Sequence, residues 1–272
     1  MDTAARESYA VAKERLEGYA AEADQARLTA LANEVLAVAQ LLSREPRLRR
    51  ALADSSRPAE GRVELLRSLL AGKAGEEAQA LLSDLAGGRW SRPGEFLDAT
   101  ERLGIEALLA GAERAGELAD VEDELFRFGQ IVEGDPELAA TLGDSSVDPE
   151  RRAPLVHLLL DGKARESTIR LAEQALRGFG GRSLHGSLIR LVELAADRRD
   201  AAVAYVTAAV APTEAEEQAL VDRLSHMYGR QISLKIEVKP EVIGGMSVRV
   251  GSELYDGTVR RRLLQARAAL AK

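Results

Sequence analysis

PRLRRALADSSRPAEGRVELLRSLLAGKA, residues 46–74, returns ninety residues later as PELAATLGDSSVDPERRAPLVHLLLDGKA, residues 136–164. When Val35 to Trp90 is laid over Leu125 to Gly180 there are 18 identities in 56 aligned positions. A chain rich in Ala, Leu, Arg and Glu would match itself by chance at roughly a tenth of positions, so the better explanation is a duplication. In each copy a proline opens a short helix after a long one, Asp-Ser-Ser makes a turn whose oxygens can accept from freed backbone amides, and Gly-Lys separates two further helices. With a three-residue gap, Gly87-Gly88-Arg89 falls on Gly180-Gly181-Arg182, and a last helix follows in both copies, to about Gly116 and Asp200. Both copies read as complete bundles.

Outward from the repeat the text stays helical to about Arg199. Leu28, Leu31, Val35, Val38 and Leu42 step by three and four, the spacing of an amphipathic helix that needs another helix against its apolar stripe. After Asp200 the grammar changes. Val203, Tyr205, Val206 and Val210 form a β-prone run ending at Pro212, and Thr213-Glu214-Ala215-Glu216 has the spacing of a capping box. The helix it starts carries Leu220, Val221, Leu224 and Met227 and stops at Gly229. Ile232, Leu234, Ile236 and Val238 then alternate with Ser233, Lys235 and Glu237, which predicts a strand with one buried face; Met246, Val248 and Val250 repeat the pattern after Gly244-Gly245. A closing helix is expected from Val259 to Leu270. The fold class is therefore mainly α: a duplicated helical bundle followed by a small C-terminal α/β domain, divided as 1-116, 117-200 and 201-272.

Composition narrows the function. The 272 residues carry 37 basic and 44 acidic side chains, a net charge of -7, which argues against a nucleic-acid partner. No cysteine is present, which excludes disulfides, thiolate metal sites and a cysteine nucleophile and suits a cytosolic setting. The first residues lack the basic and apolar regions of a signal peptide, and the run Ala201 to Ala211 is far short of the roughly 20 residues that span a bilayer. No direct membrane insertion is expected.

Catalytic and ligand-binding constellations are not found. Gly72-Lys73 and Gly162-Lys163 resemble phosphate loops only superficially: alanine follows where Mg²⁺ needs a hydroxyl, Arg67 and His157 replace the earlier glycine, and neither follows a strand. They read as helix-to-helix turns. His157, His185 and His226 are scattered and read as isolated imidazoles. Glu122, Asp123 and Glu124 read as a solvated face, as do Arg260-Arg261-Arg262 with Asp256 nearby. Tyr9 reads as core, and Trp90, at a helix junction, equally as core or as an interface anchor. No catalytic residue, metal ligand or cofactor follows.

Val238-Lys239-Pro240-Glu241-Val242-Ile243-Gly244-Gly245-Met246-Ser247-Val248-Arg249-Val250-Gly251, followed by Tyr255-Asp256-Gly257-Thr258-Val259 and Leu263, resembles the C-terminal signature of the delta subunits of rotary ATP synthases, the family of the oligomycin-sensitivity-conferring protein. The resemblance is specific from about Ala201 to Lys272 and looser over the helices. Gly244, Gly245, Gly251, Asp256 and Gly257 are the signature positions, and the glycines are expected to shape the fold. Two bundles where the family usually has one is similar to the enlarged actinobacterial form, and Thr213 stands where leucine is more typical. The resemblance implies a non-catalytic stator subunit of the proton-translocating ATP synthase, peripheral on the cytoplasmic face of the bacterial plasma membrane. Its implied partners are N-terminal segments of the alpha subunits, bound by the helical bundle, and the b subunit of the peripheral stalk. The rival readings are a stand-alone helical scaffold binding partner helices in bundle grooves, and an enzyme acting on phosphorylated metabolites, which requires a polar pocket at a Gly-Lys turn.

Overall fold

The computed structural model describes residues 2–259, 261 and 263. In chain order they form α1 (Thr3–Glu22), α2 (Gln25–Arg44), α3 (Pro46–Ala53), α4 (Ala59–Leu70), α5 (Glu76–Gly87), α6 (Pro93–Arg114), α7 (Leu118–Gly134), α8 (Pro136–Gly143), α9 (Pro149–Leu160), α10 (Glu166–Leu176), a 3-10 turn (Phe179–Gly181), α11 (Leu184–Arg198), β1 (Ala201–Ala208), α12 (Glu214–Tyr228), β2 (Gln231–Val238), β3 (Met246–Val250) and β4 (Glu253–Asp256). The chain is mainly helical with a small C-terminal sheet, as the residue pattern predicts. The expected closing helix from Val259 to Leu270 lies mostly outside the described residues.

A shift of ninety residues carries helix onto helix. It places α3 over α8 and α4 over α9 end to end, α2 over α7 at their last residue, and α1 over α6 from the first residue. The copies are therefore not two separate six-helix sets: α6 is both the last helix of the first copy and the first helix of the second. Its burial explains the double role. Phe96, Leu103, Ile105, Leu108 and Leu109 are buried around its circumference, and it packs against α1, α2, α3 and α5 of the first copy and α10 of the second. A helix apolar on all sides is stable only when covered on all sides. Gly104 makes the closest approach possible, since a Cβ there would lie 2.6 Å from Leu36 Cγ on α2.

By compactness the chain divides into two units. One holds residues up to Leu118 together with Ser145–Ser187; the other holds Ala119–Asp144 together with residues from Leu188 onward. The division 1-116, 117-200 and 201-272 follows the repeat in the sequence and is retained as a proposal about ancestry.

Within the first unit the repeated motifs build repeated joints. Gly72 and Gly162 take left-handed backbone at φ 68° and 70°, with Lys73 N–H and Lys163 N–H each bonded 2.9 Å to the carbonyl of Leu70 and Leu160. These are turns between α4 and α5 and between α9 and α10. The buried Arg62 donates to the carbonyls of Gly88 at 2.7 Å and Gly87 at 3.3 Å, and its counterpart Arg152 donates to that of Leu176 at 3.0 Å. Each arginine satisfies carbonyls left open where the following helix ends. Asp54 accepts from Ser56 N–H at 3.0 Å, a local turn rather than a helix cap, whereas in the second copy Asp148 caps α9 through Glu150 N–H at 2.9 Å. Trp90 is core: it is buried, tilted against Phe96 at 5.7 Å, and its indole N–H donates to Leu85 O at 2.8 Å.

In the second unit the sheet order is β2-β1-β3-β4, with β1 parallel to β2 and antiparallel to β3. The Thr213–Glu216 capping box starts α12, and Gly229 ends it at φ 65°. Ala204, Val206, Ile232, Val248 and Val250 meet Leu224, Leu220 and Val221 of α12 on one face. The pattern of β2 predicts a second, solvated face. Instead α7 lies there: Phe126 packs on Tyr205 at 6.2 Å, and Gln130 Nε2 donates to Ile236 O at 3.3 Å. The fourth strand, β4, carries no apolar alternation and is set by the hairpin through Gly251 and Ser252.

Candidate functional site

The signature residues Gly244, Gly245, Asp256 and Gly257 converge at one end of β3 and β4. Gly244 and Gly245 hold φ 63° and 79°, and the chain after β4 folds against them. Val259 N–H donates to Gly244 O at 3.1 Å, Gly257 N–H to Met246 O at 3.0 Å, and Ala209 N–H to Gly245 O at 3.3 Å. A Cβ on Gly245 would stand 2.6 Å from Gly257 O, and one on Gly257 would stand 3.1 Å from Met246 O, so backbone meets backbone with no room for side chains. Asp256 accepts from Thr258 N–H at 3.0 Å, and Thr258 Oγ1 accepts from Arg261 N–H at 3.3 Å. The Gly-Gly and Asp-Gly-Thr segments, separated in the sequence, thus form a single interlocked junction. Gly251 lies apart from it, in the β3–β4 hairpin at φ 57°.

Several large apolar side chains of this unit are exposed. Ile243 is 61% and Leu254 62% exposed, and Val238, Met227, Tyr255, Val259 and Leu263 are also exposed. Tyr255 joins β4 to α12, its hydroxyl 3.0 Å from that of Tyr228 and 2.8 Å from Glu253.

On the opposite face of the sheet the structure overturns one reading. Glu122 is not part of a solvated face: it is 0% and Lys235 3% exposed, with Lys235 Nζ 2.9 Å from Glu122 and also bonded to Asp123, which is exposed as expected. Arg199 Nη1 donates to Glu122 at 2.7 Å, and Ser233 Oγ donates to it as well. Two cations and a hydroxyl offset the cost of burying that carboxylate. Sequence reasoning missed this cluster because a lysine at an alternate strand position looks the same whether a helix covers it or water does. The available signal was Glu122 itself, which replaces the first copy's Ala32 under the ninety-residue shift.

The other candidates disperse. His157 bridges Glu173 at 2.8 Å and Asp161 at 3.3 Å on a partly exposed surface, and these carboxylates hold its imidazole above the usual histidine value. Among the described residues no three His, Asp or Glu side chains gather as metal ligands. Tyr9 is core, with Arg102 4.8 Å over its ring and burial pushing its phenol up. Arg261 points back to Asp256 O at 3.4 Å; Arg260 and Arg262 lie outside the described residues. A cleft of about 390 Å³ at the other end of the sheet is lined by Arg190, Glu193, Asp197 and Arg230, but Arg190 is bound to Glu193 at 2.9 Å and Arg230 is 3.6 Å from Asp197. Neither that cleft nor one of about 210 Å³ in the first unit touches a Gly-Lys turn. The arrangement offers shaped surfaces and internal ion pairs rather than a convergent reactive group. No helix among the described residues is long and apolar enough to cross a membrane.

Comparison with known proteins bears on these surfaces. A family model described as ATP synthase delta (OSCP) subunit matches residues 106–270, from within α6 through the second copy and the junction. ATP synthase subunit delta of Salinispora arenicola is 57% identical over 267 residues, covering 98% of this chain and 97% of its own. The proteins of the same description from Streptomyces avermitilis and Beutenbergia cavernae are 44% and 38% identical, with 98% and 100% of each chain covered.

Proposed function

Because the chain belongs to the ATP synthase delta (OSCP) family, a non-catalytic stator component of the F-type ATP synthase, we propose that it ties the catalytic head to the peripheral stalk at the cytoplasmic face of the bacterial plasma membrane. Its helical part binds N-terminal segments of the alpha subunits, and its C-terminal α/β part receives the b subunit. ATP synthesis and proton transport are the processes it serves. The observation that supports this reading most is the near full-length similarity to delta subunits, which extends over both copies and the junction.

Physically the role asks for contacts that resist torque, not for a reactive group. Exposed Ile243, Leu254 and Leu263 suit the apolar face of a partner helix, where burying a large aliphatic side chain contributes about 1.5–3 kcal/mol. Two modest contacts on one chain hold firmly, because the second engagement is intramolecular.

Size-exclusion chromatography of the full chain with an ATP synthase head stripped of its delta subunit tests the proposal. Stoichiometric co-migration is the expected result. A stalk b-subunit segment should then join the complex and should fail to join one made with Ile243→Asp and Leu254→Asp. A chain that migrates apart from an intact head would overturn the reading.

A further inference from the structure

The two short helices that share their boundaries across the copies carry opposite charge. Residues 44–57 hold five arginines, Arg44, Arg47, Arg49, Arg50 and Arg57, against two acids, for a net charge of +3. Under the ninety-residue shift, residues 134–147 hold Asp135, Glu137 and Asp144 and no cation, for a net charge of -3. α3 and α8 nevertheless start and stop at equivalent residues, so the fold does not require the basic set.

By the rules of helix stability α8 is the better built of the two. Asp135 caps it by accepting from Glu137 N–H at 3.0 Å and Leu138 N–H at 3.1 Å, and Glu137 puts an acid in the first turn, where the macrodipole favours one. At α3 the preceding Glu45 makes no side-chain cap, and the first turn carries Arg47, a cation where the dipole disfavours one. Arg50 follows three residues later on the same face, and like charges at that spacing repel. Local rules of this kind are broken at surfaces that serve a function. Internal partners take up only part of the charge. Arg44 pairs with Glu150 at 2.6 Å, Arg57 with Asp54 at 3.5 Å, and Arg49 donates to Leu42 O at 3.3 Å. Arg47 and Arg50 are exposed and make no ion pair among the described residues.

We infer that α3 of the first copy is a docking face for an acidic segment of another ATP synthase subunit, whose carboxylates bind Arg47 and Arg50. The inference rests on the stator role proposed above, which surrounds the chain with protein subunits, and adds where one of them is gripped and by what charge. A planar guanidinium presents a fork of donors that matches the two oxygens of a carboxylate. At -7 the chain as a whole is not drawn to an anionic membrane, so the basic face is a local exception that selects and orients one partner. α8 has no such face, and the contact belongs to the first copy alone.

Arginine footprinting with phenylglyoxal, read residue by residue by mass spectrometry, tests this in the complete ATP synthase. Arg47 and Arg50 should react freely in the isolated chain and about tenfold more slowly in the synthase, where the partner excludes solvent from them. The variant Arg47→Glu with Arg50→Ala writes the residues of α8 into α3 and should keep its fold by circular dichroism. It should bind a synthase depleted of its delta subunit about tenfold more weakly at low salt and lose most of the salt dependence. Full reactivity of both arginines in a synthase that contains the chain, or equal binding by the variant, would overturn the inference and leave the stator role standing. A synthase that assembles without the chain would overturn both. Vesicles containing phosphatidylglycerol should give no protection; protection by them and none in the synthase would reassign the face to lipid and overturn the inference.

Discussion

The helices α2 and α7 occupy equivalent places in the two copies and are dressed for different neighbours. On α2, Ala32 and Leu36 are buried and the helix closes on α6 at Gly104. On α7 the same positions are Glu122 and Phe126, which engage Lys235 and Tyr205 of the sheet. Many helix boundaries came through the duplication, because prolines and glycines repeat with the sequence, although the side-chain caps do not. The docking partner did not, because it depends on a few side chains that changed.

Breaking the charged partner should have the largest effect. Lys235→Met leaves the buried Glu122 carboxylate with one cation fewer and should cost the sheet-containing unit about 3 kcal/mol in urea denaturation. The double variant Glu122→Leu with Lys235→Met should recover most of that loss, and failure to recover would mean that the cluster does more than fill space. Next is the uncharged partner. Gly104→Ala forces Leu36 aside and should cost about 2 kcal/mol, partly relieved by Leu36→Ala.

Arg62→Met and Arg152→Met test the shared part of the comparison. Each strips buried carbonyls of a donor and should lower stability by about 2 kcal/mol. A loss in one copy and none in the other would show that the repeated joints are not equivalent. The smallest effect concerns the cross-hairpin pair that is Arg67 with Ser83 in the first copy, 3.4 Å apart, and His157 with Glu173 in the second. The histidine value is raised in the folded chain, so this contribution is present below the ordinary 6.5 and fades as pH rises through the raised value. Imidazole NMR should report the raised midpoint, and Glu173→Gln should lower it toward the ordinary value.

How much of this was legible follows the same line. The capping box at Thr213, the terminator Gly229 and the apolar alternation of β2 are local, and each appears where the residues place it. The sharing of α6 was not legible, since residues 93–114 satisfy the pattern of a last helix and of a first helix equally well. Nor was β4, whose four residues Glu253, Leu254, Tyr255 and Asp256 have no buried face of their own and pair because Gly251 turns the chain. Of the signature, its residues were visible; that Gly245 must be bare because Gly257 O lies against it is a fact of packing between distant segments.

ATP-driven proton uptake by inverted membrane vesicles whose synthase lacks its delta subunit tests the stator role most directly. Adding the full chain should restore uptake together with retention of the head on the membrane. Heads that stay detached, or ATP hydrolysis that continues without proton uptake after the chain is added, would contradict it.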